Sequence, residues 1–246
     1  MDNFLVIVGA TFLLAGLVKG VVGLGLPTVA VALLGIVMTP MQAAGLLLVP
    51  SLVTNVWQLA AGPAFRTLLA RLWTMQAGIV AGTLAGGALL PRDGAGYATI
   101  ALGAALSVYA VIGLSAVRMA VPQRLEARLA PGMGFITGLV SAATGVFVLP
   151  AVPYLQGLGL GKEDLVQALG LAFTTSTIAL GLSLALQGDF APGLAGMSLY
   201  ALAPALAGMY AGQWIRTRIR PDVFRTLFFA GLLVLGLYQC VRTVAL

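Results

Sequence analysis

The stretch Lys19-Gly20-Val21-Val22-Gly23-Leu24-Gly25-Leu26-Pro27 interrupts an apolar run that extends from residue 4 to residue 38. Three glycines and a proline in mid-run break a helix, because glycine forfeits backbone order and proline lacks the donor the next turn needs. Without the break, this run would read as one over-long span. With it, the run is a broken span, two short helices or a re-entrant hairpin. Half-segments of about 15 residues reach about 22 Å as helices, short of a hydrocarbon core of roughly 30 Å. A second run, 132–160, is interrupted in the same manner by Ser141-Ala142-Ala143-Thr144-Gly145 and then Pro150 and Pro153.

The rest of the chain says in what solvent this happens. Of 246 residues, 60% are hydrophobic and 8% charged, against roughly 25% charged in a soluble domain. That is too little charge to clothe a water-soluble surface. Ordinary apolar spans are predicted at 41–62, 72–90, 97–117, 165–187, 193–214 and 223–243. Lipid offers no partner to backbone polar groups, so spans are helices or closed strands. Runs of Leu, Ala and Gly without two-residue alternation select helices. The N-terminus, Met-Asp-Asn, lacks the basic region of a cleaved signal, so the first run is expected to remain. Cys240 has no internal disulfide partner.

The two broken runs are related. Gly16-Leu17-Val18-Lys19-Gly20-Val21-Val22-Gly23 lies over Gly138-Leu139-Val140-Ser141-Ala142-Ala143-Thr144-Gly145, and Pro27 then meets Pro150 with one inserted residue. Gln42-Ala43-Ala44-Gly45-Leu46 matches Gln167-Ala168-Leu169-Gly170-Leu171, which puts Ser51 over Ser176. Gly82-Thr83-Leu84-Ala85-Gly86 matches Gly208-Met209-Tyr210-Ala211-Gly212. Matches in one order predict an internal duplication: repeat one over 1–120, repeat two over 131–246, joined about 118–131.

Charge orients the halves. If each broken run returns to the side it left, Arg66, Arg71, Arg118, Arg124, Arg128, Lys162, Arg216, Arg218, Arg220 and Arg225 share one face, opposite Arg92, Arg242, Asp2, Asp93 and Asp189. Lys and Arg mark the cytoplasmic face, so the returning arrangement is preferred, with both termini outside the cytoplasm. The net charge of +6 is an orientation signal in this setting rather than a nucleic-acid footprint. The halves are then inverted copies. The expected fold is an all-α integral membrane protein of two inverted-topology repeats, each a broken or re-entrant helical hairpin followed by three transmembrane helices. Inverted repeats with broken helices at the midplane recur in secondary transporters.

Lys19 is the ionisable side chain set deep in an apolar run, a placement that is costly in lipid and often functional. Beside Gly20, Gly23 and Gly25, and with a helix restarting behind it, it forms a candidate anion site; snorkelling to the interface, or pairing with backbone carbonyls, is the competing reading. Ser141, Thr144 and Gly145 hold the matching place in the second half, where hydroxyls can donate to an oxyanion or small residues can simply let helices pack. Ser51 and Asn55 lie one turn apart and share a face. Within Thr174–Thr177 two side chains are expected to face inward, with Thr175 and Ser176 taken as the site residues. Gln42 and Gln167 begin their helices, where a polar end is ordinary. Trp57, Trp73 and Trp214 read as interface anchors, and Gly78, Gly82 and Gly86 as a packing seam. No histidine, intramembrane carboxylate pair or metal-ligand cluster is present in the sequence, so no enzyme, metal or cofactor is expected.

The arrangement of these pieces resembles the TauE/SafE family of sulfite exporters and related permeases. The residues that carry the likeness are Gly20-Val21-Val22-Gly23-Leu24-Gly25 with Pro27, the following span with Ser51 and Asn55, the second-half Gly-Leu-Val…Gly…Pro copy, and the span of Gly82 and Gly86. The likeness covers essentially the whole chain. Lys19 before the glycines and Ser141-Ala142-Ala143-Thr144 in the second cluster depart from the commoner pattern. The resemblance implies a bacterial inner-membrane carrier of small sulfur-containing or organic anions. Its implied partners are that anion and the bilayer, with no nucleic acid; a homodimer is one assembly it allows. An anion channel, a carrier of a non-sulfur anion, and a membrane assembly or sensor subunit are the other readings.

The topology is directly testable. In a Cys240→Ser background, Arg66→Cys and Arg220→Cys are expected to react with an impermeant thiol reagent from the cytoplasmic face, and Asp189→Cys from the other. Labelling of the first two from opposite faces overturns the returning arrangement.

Overall fold

The computed structural model describes residues 2–90, 95–115, 120–188, 192–216, 218 and 221–245. The chain forms ten helices among these residues: α1 (Asp2–Val22), α2 (Leu26–Leu34), α3 (Pro40–Ala60), α4 (Phe65–Leu89), α5 (Ala95–Leu114), α6 (Gln123–Thr144), α7 (Ala151–Gly157), α8 (Lys162–Gln187), α9 (Pro192–Arg216) and α10 (Pro221–Ala245). Six are long and apolar enough to cross a membrane. Five of these cover the expected spans at α3, α4, α5, α8 and α10; the sixth is α1. The expected span 193–214 falls within α9, which has 25 residues. The segment 118–131, expected as a connection, is helical from Gln123 onward. Arg92, Asp93, Arg118, Asp189 and Arg220 lie outside the described residues.

The broken runs are unequal rather than two short halves. α1 has 21 residues, a rise of about 31 Å that suffices to cross. α2 has only 9, about 13 Å. The reason is where the glycines act. Gly23 and Gly25 have φ of 83° and 106°, a region closed to most side chains, and they end α1 near its natural length. The chain then doubles back: a Cβ at Gly25 would lie 3.2 Å from Val18 Cγ1. Proline at the start of α2 suits its first turn. α2 is buried almost all round, as a helix apolar on every face must be. In the second run α6 has 22 residues and α7 has 7. Gly145, with φ 72°, caps α6.

Both runs return to the end of the bundle from which they start. α7 ends beside the beginning of α6: Tyr154 donates to the Glu126 carbonyl at 3.0 Å and the Val121 amide to the Gly157 carbonyl at 2.8 Å. α2 ends beside the C-terminal end of α10, where Gln239 donates to the Ala32 carbonyl at 2.9 Å and Arg242 to the Ile36 carbonyl at 2.7 Å.

Two seams hold the long helices together. Gly16 and Gly20 of α1 press on α9 at Ala205, Met209 and Gly212, and Gly208 and Gly212 press back on Leu13 and Leu17. Gly78 and Gly82 of α4 face Pro131 and Phe135 of α6, while Gly134 and Gly138 face Met75 and Ile79. In each seam the numbers rise together, so the paired helices are parallel. α5 and α10 run antiparallel, with Gly103 against Gly236 and Gly96 against Thr243. The most extensive packings are α4 on α6, α1 on α9, α5 on α10 and α3 on α8. Exchanging the first five helices with the last five maps this set onto itself.

At one end, Arg71 of α4 makes a two-pronged pair with Glu126 of α6, at 2.6 and 2.8 Å. Such paired geometry is stronger than a single contact. Large apolar side chains cover the outer faces, among them Leu89, Leu186, Tyr210, Leu227 and Val234. An apolar surface that broad belongs against lipid.

A Cβ at Gly82 would overlap the Phe135 carbonyl, while one at Gly231 meets open space. Gly82→Val is therefore expected to lower stability by about 1–3 kcal/mol through overpacking, and Gly231→Val to change it little. Thermal unfolding of the two purified variants in detergent measures this. Equal loss in both would remove the seam as the cause.

Candidate functional site

A cavity of about 670 Å³ opens among the ends of α1, α3, α5, α8, α9 and α10. Its lining carries four cationic residues, Lys19, Lys162, Arg216 and Arg225, and no carboxylate among the described residues. Thr54, Gln58, Gln156 and Gln213 add neutral polar groups, and Trp57, Tyr109 and Phe229 aromatic surface. The balance of charge in this space favours an anion.

Lys19 lies at the buried end of this lining, 4% exposed. It falls in the last turn of α1, roughly a quarter-turn round the helix from the α9 seam formed by its neighbours Gly16 and Gly20. Its Nζ donates to Thr54 Oγ1 at 3.0 Å and to Asn55 Oδ1. The snorkelling alternative does not describe this residue, whose head group is tied to α3.

The acceptors are themselves oriented. Thr54 donates its own proton to the Pro50 carbonyl at 2.7 Å, which turns a lone pair to Lys19. Asn55 Nδ2 donates to Ser51 Oγ at 3.1 Å and reaches Thr177 Oγ1 at 3.5 Å. Thr177 donates back to the Phe173 carbonyl at 2.7 Å. The chain Lys19–Asn55–Ser51–Thr177 thus links α1, α3 and α8, with oxygens facing the lysine. Buried networks of this kind hold geometry firmly when every member is satisfied.

The expected site residues separate into groups. Lys19, Gly20 and Gly23 line the cavity. Ser51 and Asn55 stand behind Lys19. Gly25 is a turn residue packed on Val18 and Phe228. Ser141, Thr144 and Gly145 are not in the cavity lining. Thr144 donates to the Val140 carbonyl at 2.7 Å and accepts from the Val146 amide at 3.1 Å. Gly145 abuts Ala44, and Ser141 is fully buried without a hydrogen-bond partner. Thr175 is half-buried and bonds back to the Leu171 carbonyl at 3.1 Å. Ser176 is buried and unpartnered. Thr177, one position on, is the residue of that stretch that reaches Asn55.

Sequence reading missed Thr54, Gln58 and Tyr109, and counted Arg225 only as a loop charge. Thr54 adjoins Asn55 and lies three residues after Ser51, so helical spacing alone could have found it. Gln58 Oε1 and the Tyr109 hydroxyl are buried, unpartnered and on the cavity lining, which marks both as open to a ligand. Gln42 and Gln167 prove structural: the first completes a capping box with Thr39, and the second binds the carbonyls of Leu59 and Gly62 and the amide of Ala64. Trp57, Trp73 and Trp214 are all more than half exposed, as anchors at an interface would be.

The sequence model of one family, described as "Sulfite exporter TauE/SafE", matches residues 8–239. No curated protein and no solved structure matches the chain. The family match spans nearly its whole length, and the chain belongs to the TauE/SafE family, a family of membrane transporters.

Lys19 and Asn55 are expected to be energetically coupled. Lys19→Met and Asn55→Leu should each cost about 1–3 kcal/mol, as the loss of a partner to a buried polar group does. The double variant should recover about 1 kcal/mol of the sum, because contacting residues are non-additive. Thermal unfolding of the four proteins checks this; strict additivity would mean that the contact carries no stability.

Proposed function

We propose that this member of the TauE/SafE family is a secondary carrier for a small anion, sulfite or a related organosulfur anion, working by alternating access in a bacterial inner membrane. The single observation that carries the reading is Lys19, a buried amine at the inner end of a cavity that, among the described residues, is lined by cations and no carboxylate. An intramembrane charge of this kind is retained where a substrate meets it.

The remaining features support the same reading. The exchange symmetry of the helix pairings, and the return of both broken runs, fit two repeats of opposite orientation. On the positive-inside rule the cation-rich end is cytoplasmic and both termini face away from it. The cavity then opens inward. On the far side the space beside Gly145 is shut by Ala44, Leu48, Leu180 and Leu184, with Met41 against them. Alternation would part this apolar cluster and close the cavity around Lys19. The site thus holds Lys19, Gly20 and Gly23 directly, with Ser51 and Asn55 in support. Ser141, Thr144, Gly145, Thr175 and Ser176 lie toward the part that opens in the other state. The chain acts on its ligand by binding and release, with no chemical step.

The test is flux in proteoliposomes across sulfite, thiosulfate, alkanesulfonates and small carboxylates. Wild-type protein is expected to move at least one of these with saturation and counterflow. Lys19→Ala is expected to lower the rate by about tenfold or more, the loss of a charge-assisted contact in a dry site. Unchanged flux in Lys19→Ala removes the role of the lysine. Flux without counterflow replaces the carrier by a channel.

A further inference from the structure

Lys19 holds two neutral acceptors, Thr54 Oγ1 and Asn55 Oδ1. A neutral amine has two N–H bonds, and these two acceptors take both. An ammonium has a third, and the remaining direction is the cavity that Lys19 lines. Neither acceptor carries charge, so neither balances a proton added at the nitrogen.

The surroundings do not balance it. The charged and titratable groups facing the cavity are Arg216 of α9, Lys162 of α8, Arg225 of α10 and Tyr109 of α5. α2 and α3 have no ionisable residue at all, and α7 offers only Pro153 and Gln156. The single ion pair among the described residues, Arg71 with Glu126, is not on the lining. A lone ammonium sealed into lipid is costly. An anion at the third N–H supplies the missing charge. Proton and anion therefore favour each other's binding, and the coupling is reciprocal.

We propose that the carrier moves its anion together with a proton borne on Lys19, as an electroneutral anion–proton symport. Loading joins a proton from water to the Lys19 nitrogen as the anion enters, and unloading returns it to water on the other side. The empty site resets as the neutral amine, resting on Thr54 and Asn55. The inference rests on the anion-carrier reading and deepens it.

The experiment uses the wild-type chain in proteoliposomes with the voltage held at zero by valinomycin and equal potassium, and with ethanesulfonate and sulfite as probes. Ethanesulfonate keeps its single charge, so it cannot bring the proton itself. An acid-outside gradient is expected to drive ethanesulfonate above its equilibrium level, with alkalinisation of the medium in step. Lys19→Arg keeps a permanent charge; whatever exchange it supports, its gradient-driven net uptake is expected to fall by about tenfold or more relative to its own anion–anion exchange, because its empty site must return charged. Should sulfite alone move, the same variant separates the proton sources: entry as bisulfite survives the substitution, and a proton carried on Lys19 does not. Wild-type flux indifferent to the gradient, or net uptake intact in Lys19→Arg, overturns the symport and leaves the carrier standing. The wild-type proton count decides even where the arginine does not fit. No flux of either anion removes both.

Discussion

Helices in lipid gain little from hiding apolar surface from one another, since the surrounding chains are equally apolar. What remains is close contact, and here it is made through glycine. The α1–α9 and α4–α6 seams bring backbone against backbone at Gly16, Gly20, Gly208 and Gly212, and at Gly78, Gly82, Gly134 and Gly138. The candidate site depends on the first seam in a direct way. Lys19 sits between Gly16 and Gly20 in sequence, so the face that grips α9 fixes the face that carries the lysine. With α9 gripped on the neighbouring face, the side chain is turned to α3, and Thr54 and Asn55 are there to receive it. A looser seam would let α1 rotate and release the ammonium.

The solvent and the fold class were legible because they are properties of composition: few charges, many long apolar runs. The breaks were legible because glycine and proline act locally. The lengths of the broken pieces were not. They depend on where the chain turns, and Gly23 and Gly25 end α1 only after 21 residues, near the full thickness of a membrane. Lys19 and its pairing surface on α3 could be read from a charge in an apolar run and from one-turn spacing. Which hydroxyl of α8 completes the network could not. Four consecutive polar residues sweep nearly the whole circumference of a helix, and sequence gives no phase; the packing of α3 on α8 selects Thr177.

The surroundings of the second break were not legible for a different reason. Matching it to the first by alignment suggested two equivalent halves of one site. In the structure the first break faces an open cavity and the second is buried against Ala44. On the alternating-access reading, the difference is one of state as well as of sequence. On that same reading the two breaks need not be open at the same time, and a carrier requires that they not be.

Sequence nonetheless makes the halves chemically unlike. Where the first carries Lys19, the second carries Ser141, buried and without a partner. An anion leaving the cavity for the far side would exchange a charged donor for neutral hydroxyls at Ser141 and Thr144. On the anion-carrier reading, attraction is strong at the first break and weak at the second, so capture falls to Lys19 and release to the neutral side. Two lysines, one per half, would hold the anion equally well throughout and slow its departure. On that reading, a single charged residue set against a neutral counterpart lets one site both capture an anion and let it go.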